Sequence, residues 1–149
     1  MALLCANLIR RVTDSEINMA EEKKAADFFE KTVKCYNRIY SYIYRYLVEK
    51  VGRMGDKNLC YYLEEVKEDH PVIMKGIFLL PDGTLAAEVL KENFERISPD
   101  RKKETLLAGL KALLSSELAA IQESLGETEK AFVSGRLKGI IEGMKKEQA

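Results

Sequence analysis

A stretch of about 38 residues, from 14 to 51, contains neither glycine nor proline and would be roughly 57 Å long as an α-helix at 1.5 Å per residue. Its apolar side chains recur within about 60° of Tyr36, while most of its charged side chains fall on the far side. Thr13 followed by Glu16 matches a capping box, and Gly52 suits the position after a helix end. The sequence therefore predicts one long helix over 14–51, which either breaks near Ala25–Ala26 or runs on as a projecting stalk.

The tyrosines of this stretch raise the alternative of a β-strand, because four of them occupy every second position. A strand face carrying Ile43 and Leu47 would also carry Arg45, whereas a helix separates apolar from charged side chains. In the helix, Tyr36 and Tyr40 are expected to face the core. The other three flank the apolar face or point outward, which favours contact with a partner: Tyr42, Tyr44 and Tyr46.

The rest of the chain is predicted to complete a single all-α domain, 1–149, with about five or six helices. Residues 1–12 are expected to form a separate amphipathic helix, which leaves a minor possibility of peripheral membrane contact. The region 56–149 supplies the remaining bundle helices. Helix starts are predicted at three capping signals, Asp56, Thr84 and Ser98-Pro99. The helix that begins at Asp56 is expected to end at His70–Pro71, and the following segment "VIMKGIFLLPDGTL" is expected to be a helical turn or buried loop.

The predicted helix over about 100–125 has a broad leucine face and an opposite face of small residues. A helix packed on both sides belongs in the middle of a bundle. Glu117 interrupts the leucine face, and such a carboxylate either pairs with a partner, with a tyrosine hydroxyl or Arg136 as candidates, or marks a turn of this face towards solvent. We expect the solvent-facing arrangement. The small residues on the face opposite the leucines are Ala108, Ala112, Ser115 and Ala119.

The last predicted helix, about 128–146, has an apolar face and, on another side, small residues at four-residue spacing. Glycine within a helix costs roughly 1 kcal/mol relative to alanine, and close approach by a second helix would offset this cost. That helix could be the small face of 100–125 or a second copy across a twofold axis, and we favour a homodimer; a frayed terminal helix is the alternative. This predicted ridge comprises Ala131, Gly135, Gly139 and Gly143.

Several classes of function are disfavoured by composition. The 24 basic and 24 acidic residues cancel, and no segment carries the basic excess that nucleic-acid binding needs. Three unpaired cysteines indicate reduced thiols and a cytoplasmic location. One histidine, His70, without other ligands at suitable spacing predicts no metal site, and no cofactor motif is present. No apolar run is long enough for a membrane span.

Three segments, "YSYIYRYLVEKVG", "FLLPDGTL" and "TLLAGLKALLSSELAAIQESLG", resemble helical modules that accompany kinase, PAS or ATPase domains in bacterial and archaeal signalling proteins. The resemblance covers about Tyr36 to Leu125 and implies a regulatory or sensory bundle. It carries over no functional residue.

The sequence thus favours a non-enzymatic signalling or adaptor module that acts through helix–helix contacts and has protein partners. A sensor that binds a small apolar ligand between helices, lined by Tyr36, Tyr40 and Glu117, is the alternative. An enzyme that uses Glu117 with a tyrosine or His70 ranks last.

Overall fold

The computed structural model describes the backbone of residues 2–148 and the side chains of residues 19–144. The described backbone confirms the predicted all-α fold, and its one β feature is an isolated bridge between Leu79 and Leu85. The helices are α1 (Ala2–Val51), α2 (Arg53–Asp69), α3 (Pro71–Met74), α4 (Ala87–Glu95), α5 (Lys102–Leu125) and α6 (Glu127–Gln148).

The long helix is continuous from Ala2 to Val51, so the predicted boundary between a 1–12 helix and a 14–51 helix is wrong. Thr13 lies inside α1, because the residues before it also adopt helical geometry and leave no end to cap. The predicted C-terminal end is correct: Gly52 has φ 68°, and its N–H donates to the carbonyl of Val48 at 2.8 Å. The side chains of 1–12 lie outside the described residues, so membrane contact there stays a prediction.

Helix α5 occupies the centre of the bundle, as predicted, and contacts each of the other five helices. Two apolar cores lie along it. The first joins α1, α3, α4 and α5 with part of α2, and includes Phe29, Tyr40 and Leu113. The second joins α1, α2, α5 and α6, and includes Leu47 and Ile121. The helices α1, α2 and α5 thus contribute to both cores and hold the bundle together.

The small face predicted for α5 is not where its closest packing occurs. Ala108 and Ser115 are exposed. Close approach takes place instead at Gly109, where an added Cβ would lie 2.7 Å from Cγ2 of Ile73. Since Cβ atoms do not approach other carbons so closely, Gly109 is what allows α3 to lie directly on α5.

All three predicted capping signals at helix starts are wrong. Helix α2 begins at Arg53, and α4 begins after Ala86, neither with a side-chain cap. Thr84 bonds to Asp82 within a turn instead, through both its N–H and its hydroxyl. Ser98 and Pro99 form a turn before α5, in which the Ser98 carbonyl accepts the N–H of Lys102. At Thr84 and Ser98, hydrogen bonds within a turn form in place of the predicted helix caps.

The connection between α2 and α4 is held by side-chain amides rather than by strand pairing. The buried Asn93 amide donates to the carbonyls of Ile73 and Lys75, both at 2.8 Å. Asn37 of α1 bonds to both the N–H and the carbonyl of Leu85. These bonds satisfy backbone groups that no neighbouring strand could reach. Of the two expectations for this segment, a helical turn or a buried loop, α3 confirms the helical turn, whereas Phe78 in the loop after it is exposed.

Candidate functional site

The outward face of α6 is uncovered, although its inward face is packed as predicted, with Val133, Leu137 and Met144 buried. The predicted ridge is exposed along its length. A Cβ added at Gly135, Gly139 or Gly143 would meet nothing within 4 Å. The option that this ridge packs on the small face of α5 is therefore wrong. Among the described residues of one molecule, no packing offsets the cost of these glycines.

A groove of about 540 Å³ runs beside the glycines, between α6 and α1. Its lining combines glycine backbone with aromatic and aliphatic side chains. Phe132 stands at its edge and is 50% exposed. We call the groove lining together with Ala131 and Gly143 the α6 surface; the groove lining is Tyr42, Phe132, Gly135, Arg136, Gly139 and Ile140.

Aromatic rings form one wall of this groove. Tyr42 stacks on Tyr46 with ring centroids 6.2 Å apart, and Tyr46 contacts Phe132 at 6.0 Å. Two cations lie over these rings: the Arg136 guanidinium is 5.7 Å from the centre of Phe132, and the Lys50 ammonium is 5.7 Å from that of Tyr46. The wall therefore offers apolar area with a positively charged rim.

Tyr44 and Tyr46 act mainly as links between helices rather than as a free surface. The Tyr46 hydroxyl donates to the Glu129 carboxylate of α6, and this hydrogen bond raises the pKa of Tyr46 to about 12. The Tyr44 hydroxyl donates to Asp56 of α2 at 3.0 Å. Of the three tyrosines predicted to contact a partner, only Tyr42 lines the groove, and it is half-buried rather than pointing fully outward.

Tyr36 and Tyr40 face inward, as predicted, with ring centroids 5.9 Å apart. Tyr40 is fully buried, and its hydroxyl donates to the carbonyl of Leu110 at 2.6 Å. Burial raises the pKa of Tyr40 well above its ordinary value, and the nearby Glu117 raises it further. The sequence-predicted trio of Tyr36, Tyr40 and Glu117 is therefore close in space, although it lines neither the α6 groove nor the groove beside α4 described below.

Glu117 is 1% exposed, so the expectation that it faces solvent is wrong. It lies one turn after Leu113 of the first core and one turn before Ile121 of the second. Its Oε1 is buried without a hydrogen-bond partner among the described residues. Of the candidate partners, Tyr40 donates to a carbonyl and Arg136 lies over Phe132. Desolvation raises the pKa of the Glu117 carboxyl well above its ordinary value, which favours the neutral acid.

A second groove, of about 440 Å³, lies where α1 passes α4. Its floor is the pair Phe29 and Phe94, whose ring centroids are 5.0 Å apart. The walls carry charges of both signs, including Glu22 and Lys91. A lining that carries charges of both signs does not favour one class of ligand.

Sequence reasoning missed Phe132 and Arg136 as parts of the candidate site. A signal for Phe132 was present, because 100° per residue places it within about 20° of Gly139 on the helix. The glycine spacing predicted the close approach of a second helix to the α6 backbone. It did not include the large apolar side chain on the same face. The α6 surface is therefore wider and more aromatic than the predicted ridge.

Comparisons with known proteins give no relative: no family model, no curated protein and no solved structure matches the chain. Among the described side chains, no three His, Cys, Asp or Glu residues come together as a metal-binding group. None of the helices, over their described residues, has the length and apolarity to cross a membrane.

Proposed function

We propose that this chain is a non-enzymatic regulatory or adaptor module that acts through helix–helix contacts, as a homodimer and with other protein partners. The observation that carries the proposal is the α6 surface, where glycine backbone, a groove and an exposed Phe132 occur together. Enzymatic roles have less support, since Glu117, the candidate acid, is buried and lines neither groove.

The shape of the α6 surface suits a helix better than a small molecule. Gly135 and Gly139 present backbone with open space above it, so that another helix can approach closely. Phe132 and Tyr42 supply apolar walls for its side chains. The open groove runs along α6 and is not enclosed within the bundle, as a site for a small ligand usually is.

Energetics support self-association through this surface. Three glycines within α6 lower its helix stability by about 3 kcal/mol relative to alanine, and no contact with the described residues fills the space that they leave. A second copy that buries Phe132 and covers the glycine backbone would offset that cost. Among soluble oligomers, twofold homodimers are the commonest class. The cytoplasmic location indicated by the cysteines remains part of this proposal.

Replacement of Gly139 by leucine tests the proposal. The leucine side chain would stand in open space in the single molecule, so Gly139→Leu should fold and, at dilutions where both proteins are monomeric, melt at least as high as the wild type. It should nevertheless block the approach of a second helix, and light scattering should show the loss of the dimer. Gly139→Ala is the matched control, because its small side chain should keep the dimer. If Gly139→Leu and wild type have equal mass as dimers, the α6 surface is not the contact.

A further inference from the structure

We propose that α6 is a proton-controlled lid, which stays closed while the carboxyl of Glu117 holds its proton and turns away about Gly126 when that carboxyl ionises. The inference goes beyond the proposed function and does not depend on it, because the acid, the lid and the hinge all belong to one chain. It concerns the condition that controls the α6 surface, whichever partner binds there.

Glu117 lies on α5 at the level of the inward face of α6. The two helices are joined by Gly126 alone and pack against each other, and a side-chain hydrogen bond joins the residues four before and four after it. Residues at equal distances from the connection are level in such a hairpin. Glu117, nine residues before Gly126, therefore falls between the levels of the buried Val133 and Leu137, seven and eleven residues after it. Both pack in the second core with Ile121, which lies about 40° from Glu117 around α5, so departure of α6 admits water beside Glu117.

The closed bundle offers Glu117 no group that would stabilise a negative charge. Its Oε1 has no hydrogen-bond partner among the described residues. The titratable group that faces it is the hydroxyl of Tyr40 on α1, which already donates to the carbonyl of Leu110, with Tyr36 and Cys35 about one turn earlier on α1. The described side chains that α2, α3, α4 and α6 bury are not titratable.

Charged side chains of the neighbouring helices lie at the surface instead. On α6, the Arg136 guanidinium lies over the ring of Phe132, and on α2, the Lys67 ammonium bonds to Glu64 at 3.3 Å. Burial is the one cause that shifts the pKa of Glu117, and it raises that pKa well above the ordinary value. The closed state therefore favours the neutral acid.

The attachment of α6 is suited to opening. Gly126 has φ 96°, a left-handed conformation that glycine adopts freely, and a Cβ there would meet nothing within 4 Å. In its described part α6 buries three side chains, whereas α5 buries seven residues. A hydrogen bond at the rim, from Tyr46 to Glu129, links α6 to α1. Few apolar contacts and a connection of one residue are features of an element that opens locally.

Ionisation of Glu117 favours the open lid. A carboxylate buried without partners is strongly destabilised, whereas an open lid lets water hydrate it. The closed state therefore holds the Glu117 proton at pH values where the open state has lost it, and a rise in pH shifts the equilibrium towards the open state. Because one proton is released, the opening constant grows up to about tenfold per pH unit, from about pH 4.5 to the raised pKa of the closed state.

Opening also dismantles the groove of the α6 surface. Tyr42 of α1 forms one wall of that groove, and the other lining residues belong to α6. When α6 turns away from α1, its glycines and Phe132 separate from this wall. The lid thus presents the complete α6 surface at low pH and removes it as the pH rises.

Hydrogen exchange of the dilute monomer, followed by mass spectrometry at several pH values between about 5 and 8, tests the lid. Protection factors, which remove the intrinsic pH dependence of exchange, should fall for the α6 amides of residues 130–141 by up to about tenfold per pH unit. At every pH these amides should be at least about tenfold less protected than the α1 amides around Tyr40, because α6 opens without unfolding of the bundle.

Three kinds of variant separate the acid from the other attachments of α6. Glu117→Gln has no proton to lose, so its α6 protection should not depend on pH, and Glu117→Met, neutral and of similar length, should behave in the same way. Tyr46→Phe removes the bond to Glu129 and should lower α6 protection by about fivefold at every pH, with the wild-type slope retained. Glu92→Gln, at an exposed site on α4, is the matched control and should keep the wild-type slope.

Constant α6 protection across the pH range in wild type, or a slope that persists in Glu117→Gln and Glu117→Met, would overturn control by this acid. Equal protection of α6 and the α1 core at every pH would overturn the lid, because the bundle would then open as one unit. Neither result bears on the proposed function, which Gly139→Leu tests through the mass of the complex.

Discussion

Glu117 shows what a single residue contributes to this molecule. It carries a carboxyl group between two apolar cores, and its Oε1 lacks a hydrogen bond among the described residues. The periodicity of the sequence placed Glu117 on the leucine face. Whether that face meets solvent at this point depends on the neighbouring α1, which no local pattern reports, and the expectation of exposure was wrong for that reason.

The raised pKa of Glu117 predicts an unusual pH dependence of stability. Below the unfolded-state pKa, both states hold the proton and Glu117 costs nothing through ionisation. As the pH rises from about 4.5, the Glu117 carboxyl ionises in the unfolded state but stays protonated in the folded state. The free energy of unfolding therefore falls. Glu117→Gln removes this loss and should be more stable than wild type by at least about 1 kcal/mol at pH 8.

Denaturant unfolding at several pH values between 5 and 8 checks this prediction. The difference between Glu117→Gln and wild type should grow as the pH rises. Glu92→Gln, which removes an exposed carboxylate of α4, serves as the control and should run parallel to wild type. Parallel curves for Glu117→Gln as well would show that the carboxyl is solvated in solution.

At the scale of elements, helix faces were predictable and helix starts were not. The 3.6-residue period places Tyr36, Tyr40 and the apolar face of α6 correctly, because burial of a whole face is a sum over many side chains. A cap depends on one or two hydrogen bonds, and Thr84 found its partner in Asp82 instead. The hydrogen bonds of Asn37 and Asn93 join residues far apart in sequence, so no local sequence pattern could predict them.

The turn before α4 packs closely against α1 at Gly83. Gly83 has φ 84°, and an added Cβ would lie 2.2 Å from Cβ of Tyr44. Gly83→Ala should therefore lower the free energy of unfolding by about 1–3 kcal/mol, through both backbone strain and displacement of the turn from α1. Gly135→Ala is the matched control, since its site is open and its φ is not positive, and it should be neutral or stabilising. Equal melting temperatures for Gly83→Ala and wild type would contradict this packing.

At the scale of the whole molecule, the all-α bundle with α5 at its centre followed from the sequence. The candidate site followed only in part. The ridge of Gly135, Gly139 and Gly143 was visible as a spacing, but its aromatic wall required the approach of α1 to α6 through Tyr46 and Glu129. Contacts between distant segments decide which side chains remain exposed, and a single sequence does not contain them explicitly.

Native mass spectrometry of the wild-type chain over a range of concentrations tests the central claim most directly. We expect a species of twice the 16.9 kDa chain mass that dissociates on dilution and carries no retained small molecule. A chain that stays monomeric at every concentration, or a monomer that retains a small ligand, would contradict the account and favour a sensor with its site between the helices.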